Sequence, residues 1–207
     1  MNKTDLRLYF IYGSNNGDTT TSLSIIDQAL QCGITLFQLR EKGQGALTGE
    51  ALRDFALSVQ KLTTRYEVPF IINDDVELAL ALKADGIHIG QDDMDPDRLP
   101  AYFDDKIVGL SVRDEAELAV SSLDNVSYIG TGPVFPTGSK DDAGAAIGVS
   151  GLKLMRQKIG TLPMVAIGGI TESNYTDCIT EGADGIAVIS AIAGADNIAH
   201  AVRNFLN

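Results

Sequence analysis

Short apolar, β-branched runs alternate with segments of helical period from one end of this chain to the other, and that alternation leaves few folds open. The runs mark strands at 8–12, 35–40, 69–73, 86–90, 107–112, 127–131, 163–168 and 185–190. Between them, Ser22 to Gln31, Leu47 to Arg65, Val76 to Leu82, Glu115 to Leu123, Gly151 to Ile159, Glu172 to Thr180 and Ala191 to Phe205 read as helices, with a short one near Pro96 to Phe103. Strands that alternate with helices in this order imply a parallel sheet with right-handed crossovers. Two segments, Ala84-Asp85-Gly86-Ile87-His88-Ile89 and Ala183-Asp184-Gly185-Ile186-Ala187-Val188, echo each other nearly half the chain apart, as two halves of a closed barrel would. The expected fold is α/β, a single (β/α)8 TIM barrel rather than an open doubly wound sheet.

No Ser/Gly/Pro-rich linker interrupts the pattern, so residues 1–207 read as one domain, with Thr137 to Gly148 as a mobile loop. The formal charge of −12 argues against nucleic acid or an anionic membrane as partner, because both reward diffuse positive charge. Local cations can still capture a phosphorylated small molecule, since fields are screened beyond roughly 8 Å at physiological salt. Cys32 and Cys178 have no CxxC or metal-ligand spacing and read as idle thiols in a reducing compartment. The apolar stretch Leu8 to Tyr12 is too short for a signal-peptide core or a membrane span, so the expected location is the cytoplasm. The sequence is silent on oligomeric state.

In a barrel of this kind the ligand sits at the carboxyl ends of the strands. Strand 2 ends in Gln38-Leu39-Arg40-Glu41-Lys42, where Gln38, Arg40 and Lys42 share one face and Phe37 and Leu39 take the other. An anion is the natural complement of that face. Strand 3 ends in Asn73-Asp74-Asp75: one aspartate is expected to cap the following helix, while Asn73 shares the parity of Ile71 and suits a ligand contact. Strand 4 ends in Gly90-Gln91-Asp92-Asp93-Met94-Asp95. Asp74 together with Asp92 or Asp93 would give a hard cation such as Mg²⁺ the carboxylates it commonly takes alongside phosphate and water.

Strand 6 runs into Gly130-Thr131-Gly132-Pro133-Val134-Phe135-Pro136-Thr137-Gly138-Ser139-Lys140, where glycines, hydroxyls and a lysine suit a phosphate, without the spacing of a nucleotide P-loop. Strand 7 ends in Gly168-Gly169 and strand 8 in Ile189-Ser190, the place where barrels hold a phosphate on backbone N–H groups. Two anion sites therefore emerge, one cationic and metal-assisted, the other rich in backbone donors. His88 reads as a satisfied interior histidine and His200 as helix surface. No nucleophilic triad or histidine metal pair is visible, so any chemistry depends on charge stabilisation and positioning.

In order and spacing, Gln38-Leu39-Arg40-Glu41-Lys42, Asn73-Asp74, His88-Ile89-Gly90-Gln91-Asp92-Asp93, Gly109-Leu110-Ser111, Gly132 to Lys140, Ile167-Gly168-Gly169-Ile170 and Val188-Ile189-Ser190 resemble the thiamine-phosphate synthase (thiamine-phosphate pyrophosphorylase) family along almost the whole chain. The resemblance implies a (β/α)8 transferase that joins 4-amino-5-hydroxymethyl-2-methylpyrimidine diphosphate to a thiazole phosphate or its carboxylated form, giving thiamine phosphate and diphosphate. It implies that Gln38, Arg40, Lys42, Asn73, Ser111 and Lys140 bind the pyrimidine diphosphate, with Arg40, Lys42, Lys140 and Ser111 as the catalytic set. It further implies that Asp74 and Asp93 hold Mg²⁺, and that Thr137, Ser139, Gly169, Ile189 and Ser190 hold the thiazole phosphate. No protein nucleophile is needed, in keeping with the missing triads.

This chain departs from the family at Ser139, where a threonine is usual, and at Ile11-Tyr12-Gly13-Ser14, where a Thr-Asp pair is common. The acidic Asp141 to Ala146 stretch beside Lys140 is expected to tune loop closure. Two alternatives stay open: a thiazole tautomerase-like paralogue, against which the complete cation and carboxylate set argues, and a non-catalytic thiamine-phosphate sensor.

Overall fold

Eight parallel strands close on themselves in chain order in the computed structural model, which describes residues 1, 3–16, 19–139 and 144–207. They are β1 (Leu8–Tyr12), β2 (Leu36–Leu39), β3 (Phe70–Asn73), β4 (Gly86–Ile89), β5 (Ile107–Ser111), β6 (Tyr128–Thr131), β7 (Met164–Ile167) and β8 (Gly185–Val188). The last pairs with the first, Leu8 opposite Ile186 and Phe10 opposite Val188, so no strand edge is left open. Outside lie α1 (Thr19–Gln31), α2 (Gly49–Arg65), α3 (Val76–Leu82), α4 (Glu115–Val120), α5 (Gly148–Ile159), α6 (Tyr175–Thr180), α7 (Ser190–Ala193) and α8 (Ile198–Leu206). Among the described residues no helix is long and apolar enough to cross a membrane.

Strand alternation divides the core into two layers. Phe10, Phe37, Phe70, Ile87, Val108 and Ile129 face outward and pack under the helices. Tyr9, Ile11, Leu36, Ile71, Tyr128 and Val165 fill the barrel's interior. Both layers are buried, which is why the strands read as unbroken apolar runs rather than alternating ones.

The sequence echo has one physical meaning in both halves. Asp85 accepts from the backbone N–H of Phe70 at 2.8 Å, and Asp184 accepts from that of Met164 at 2.9 Å. Each aspartate thus ties the start of its own strand to the start of the strand before it.

Strand boundaries fall within two residues of expectation, whereas several helix ends do not. Helix α4 stops at Val120 because Ser121 turns extended and its hydroxyl donates back to the Glu117 carbonyl at 2.8 Å. Helix α6 starts late, at Tyr175. Asn174 first builds a loop, accepting from the Thr171 N–H and donating to the Gly169 carbonyl. The expected last helix is two, α7 and α8, parted at Gly194, with Asn197 capping the second through the His200 N–H. The short helix near Pro96 is two 3₁₀ turns, Pro96–Arg98 and Ala101–Phe103, while α1 and α5 each begin three residues early.

Candidate active site

A cavity of about 320 Å³ opens at the carboxyl ends of the strands, lined among others by Lys42, Asp93, Ser111, Thr137, Ser139 and Ser190. Gly130, Gly168, Gly169 and Ile189 line it as well. Residues expected at both anion sites, Lys42, Asp93 and Ser111 from one and Thr137, Ser139, Gly169, Ile189 and Ser190 from the other, thus line one opening. Gln38, Arg40, Asn73 and Asp74 stand at the same strand ends, off the cavity's lining.

On the β2 side, the register predicted for Gln38 holds: its neighbour Leu36 points into the barrel, while Phe37 and Leu39 point out. Lys42 lies beyond the strand end and places its Nζ 2.9 Å from Asp74 Oδ2. Asp75, not Asp74, caps α3, accepting from the Leu78 N–H at 2.9 Å. Asp74 is thereby left for the site, at a backbone φ of 60° that few non-glycine residues adopt. Burial is the largest cause raising the Asp74 carboxyl above the usual carboxylate range; Lys42 opposes it, and Asp93 pushes it further up. Asp93 is itself fixed by the Gly90 N–H, which donates to Oδ2 at 2.7 Å.

A buried carboxylate pushed up by a neighbouring one is a site that a divalent cation would relieve. Among the described residues no cluster of three or more His, Cys, Asp or Glu side chains could hold a metal without help. The donor set fits an ion such as Mg²⁺ that draws its remaining oxygens from phosphate and water.

On the opposite side, the Ser139 and Ser190 hydroxyls lie 3.1 Å apart, and the Ser139 N–H donates to Thr137 Oγ1 at 3.2 Å. Hydroxyls from the β6 loop and the start of α7 thus lie together, with Gly169 packed against the same loop at Phe135 and Pro136. Lys140 and Asp141 to Ala143, in the loop expected to be mobile and to tune closure, lie outside the described residues.

Several site features escaped sequence reasoning. Glu41 staples the first loop to the second: the Ser14 N–H and hydroxyl both donate to its carboxylate, the hydroxyl at 2.9 Å, as does the Leu47 N–H at 2.9 Å. Gly13 belongs to the same contact, since a Cβ there would fall 2.1 Å from the Arg40 carbonyl oxygen. The Gly13-Ser14 departure is therefore a device for seating β1 against the Arg40–Lys42 turn. Arg113, two residues past Ser111, also lines the cavity and is held by Glu117 at 3.2 Å and Asp114 at 3.3 Å. Its i+2 spacing from Ser111 was the available signal. His88 is interior and hydrogen-bonded at both ring nitrogens, and His200 is exposed on α8, both as expected.

A family described as thiamine monophosphate synthase matches residues 8–192 of the chain. A protein named thiamine-phosphate synthase 1 from Streptococcus pneumoniae is 48% identical over 96% of this chain and 95% of its own length. A thiamine-phosphate synthase from Streptococcus suis is 51% identical over 95% of this chain and 86% of its own. Among solved structures, a thiamine phosphate pyrophosphorylase from Pyrococcus furiosus superposes with a TM-score of 0.85 at 31% identity, covering 99% of this chain and 95% of that one.

Proposed function

The chain belongs to the thiamine monophosphate synthase family and is a transferase that forms thiamine phosphate, and we propose that it does so by Mg²⁺-assisted departure of diphosphate from a pyrimidine methylene. The observation that carries this reading is the Lys42–Asp74–Asp93 arrangement at one side of a cavity whose other side offers hydroxyls and glycine backbone. One side suits a diphosphate with its cation, the other a monophosphate.

In this reading Asp74 and Asp93 hold Mg²⁺, which when bound withdraws charge from the departing diphosphate. Arg40, Lys42 and Lys140 neutralise the same charge, and Ser111 donates to it. Gln38 and Asn73 orient the pyrimidine diphosphate. As the carbon–oxygen bond to diphosphate breaks, a cation stabilised by the electron-rich pyrimidine develops at the methylene. The thiazole nitrogen attacks that carbon, its phosphate held by Thr137, Ser139, Gly169, Ile189 and Ser190. Positioning and electrostatics supply the rate, so no side-chain nucleophile is needed.

The reactants are small phosphorylated molecules, in keeping with the net negative charge of the chain, which disfavours nucleic acid. We place the activity in the cytoplasm and assign it to the whole barrel, residues 1–207, as one catalytic domain. The test is to incubate the protein with both phosphorylated substrates and follow thiamine phosphate by fluorescence after oxidation. Product that depends on Mg²⁺ supports the reading, and its absence with Mg²⁺ present would sink it.

A further inference from the structure

A chain of polar side chains crosses the apolar interior of the barrel, buried along its length until it reaches the cavity at Ser111. Gln38, 1% exposed, donates from Nε2 to the Tyr9 hydroxyl at 2.6 Å. The Tyr9 and Tyr128 hydroxyls lie 2.9 Å apart. The Tyr128 hydroxyl lies 2.9 Å from His88 Nδ1, and His88 Nε2 lies 2.9 Å from Ser111 Oγ. Tyr9, Tyr128 and His88 are all buried, whereas Ser111 lines the cavity. Four elements of the barrel wall, β1, β2, β4 and β6, thus converge on one hydroxyl of a fifth, β5.

The orientation of the Gln38 amide sets the direction of this chain. The amide Nε2 can only donate, so the Tyr9 oxygen accepts and its single hydrogen goes to Tyr128, since a buried O–H left unpaired is costly. Tyr128 then donates to Nδ1 of His88. With Nδ1 as acceptor, the neutral ring carries its hydrogen on Nε2 and donates to Ser111 Oγ. Ser111 consequently keeps its own hydrogen for the cavity. Burial raises the proton affinity of both phenols, so each stays an O–H donor across any working pH.

We propose that Gln38, Tyr9, Tyr128 and His88 form a one-directional hydrogen-bond relay that presets Ser111 as a donor to the anionic group in the cavity, His88, Tyr128 and Tyr9 acting as positioning residues. The inference deepens the functional reading above and rests on its assignment of Ser111 to the diphosphate. Run in the opposite sense, the same contacts would spend the serine hydrogen on His88 and turn lone pairs toward a phosphoryl oxygen. Direction, not contact alone, decides whether the serine attracts or repels the substrate. Gln38 sets that direction from the far end of the relay, through an amide whose Oε1 has no partner among the described residues.

The test uses the whole protein in two arms. In the first, ¹⁵N-histidine labelling reads the ring nitrogens of His88 without substrate, a His200→Gln variant assigning the only other histidine. A bare Nδ1 with a protonated Nε2 is expected; an Nδ1–H tautomer or a doubly protonated ring overturns the proposal. In the second, calorimetry follows the binding of inorganic diphosphate to Tyr128→Phe, Ser111→Ala and the double variant. Tyr128→Phe is expected to weaken binding by about tenfold in the native background and by less than about twofold when Ser111 is already alanine. An equal loss in both backgrounds would show a merely structural phenol and overturn the relay. Should Tyr128→Phe fold poorly, Tyr9→Phe breaks the chain one link further back and is expected to give the same dependence on Ser111. Neither arm requires thiamine phosphate to form, so failure of the relay and failure of the synthase reading give different results.

Discussion

The Lys42 ammonium rests 2.9 Å from Asp74 Oδ2, so a cation assigned to the diphosphate and a carboxylate assigned to the metal neutralise one another before either ligand arrives. Binding must separate them: the metal takes the carboxylate, and the freed ammonium turns to the phosphate. Lys42→Met is therefore expected to bind Mg²⁺ severalfold more tightly than the native protein in calorimetry without substrate. The same variant is expected to lose at least about 10²-fold in kcat/KM, roughly 2.7 kcal/mol of transition-state stabilisation. Asp74→Ala and Arg40→Ala should lose at least as much, about 10²-fold each. Variants within a few-fold of the native rate would refute these roles.

The raised Asp74 carboxyl makes metal binding depend on pH in a definite direction. Its folded-state proton affinity exceeds the unfolded value, chiefly through burial, so the group favours the fold at acid pH. That contribution disappears as pH rises from the ordinary aspartate value through the raised one. Mg²⁺ needs the deprotonated form, and its binding compensates for the charge that burial penalises. Thermal melts with and without Mg²⁺ should show no stabilisation below the raised value and a growing shift above it. Asp74→Asn should melt higher than the native protein at neutral pH without metal and lose the Mg²⁺ response. A pH-independent Mg²⁺ shift would contradict the assignment.

Gly169 forms the phosphate side of the cavity at a φ of 64°, and a Cβ there would fall 2.6 Å from the Pro136 carbonyl oxygen. An alanine must both hold the left-handed conformation and push the β6 loop away. Gly169→Ala should cost about 1–3 kcal/mol in denaturant unfolding. Because the displaced loop carries Thr137 and Ser139, the KM for the thiazole phosphate should rise more than that for the pyrimidine diphosphate. Equal changes in both would place the loop's influence elsewhere.

The parts of the site written as local pattern were legible in the chain, and the parts made by long-range hydrogen bonds were not. Strand parity put Gln38 on the face opposite Phe37 and Leu39, and capping chemistry left one of Asp74 and Asp75 for the site. Tyr9 offered no such signal, because in Leu8–Tyr12 a phenol reads as one more large apolar residue. Its hydroxyl acquires meaning only from Tyr128, far along the chain, which closure of the barrel brings within 2.9 Å. Glu41 was hidden for the same reason: between two cations it reads as local charge balance, while its partners are Ser14 and Leu47. Helix ends such as Val120 were missed because a single serine hydroxyl and its contact with Gln91 override the periodicity.

At the opposite end of the barrel, where the strands begin, Arg156 of α5 closes a network with no connection to the cavity. Its guanidinium donates to the Gly182, Gly160 and Leu162 carbonyls at 2.8 Å and to Asp184 at 2.5 Å. Asp184 in turn accepts from the Met164 N–H at 2.9 Å and pairs with Lys3 at 2.7 Å. Removing the guanidinium leaves three carbonyls without this donor and takes one of three partners from the Asp184 carboxylate, in a place only partly open to water. Arg156→Met should therefore lower unfolding free energy by about 2–3 kcal/mol in urea titrations. Because barrels separate their stability face from their reactive face, kcat/KM at 25 °C should stay within about twofold of the native value. A variant as stable as the native protein, or one that stays folded but loses activity, would show that the two ends are coupled.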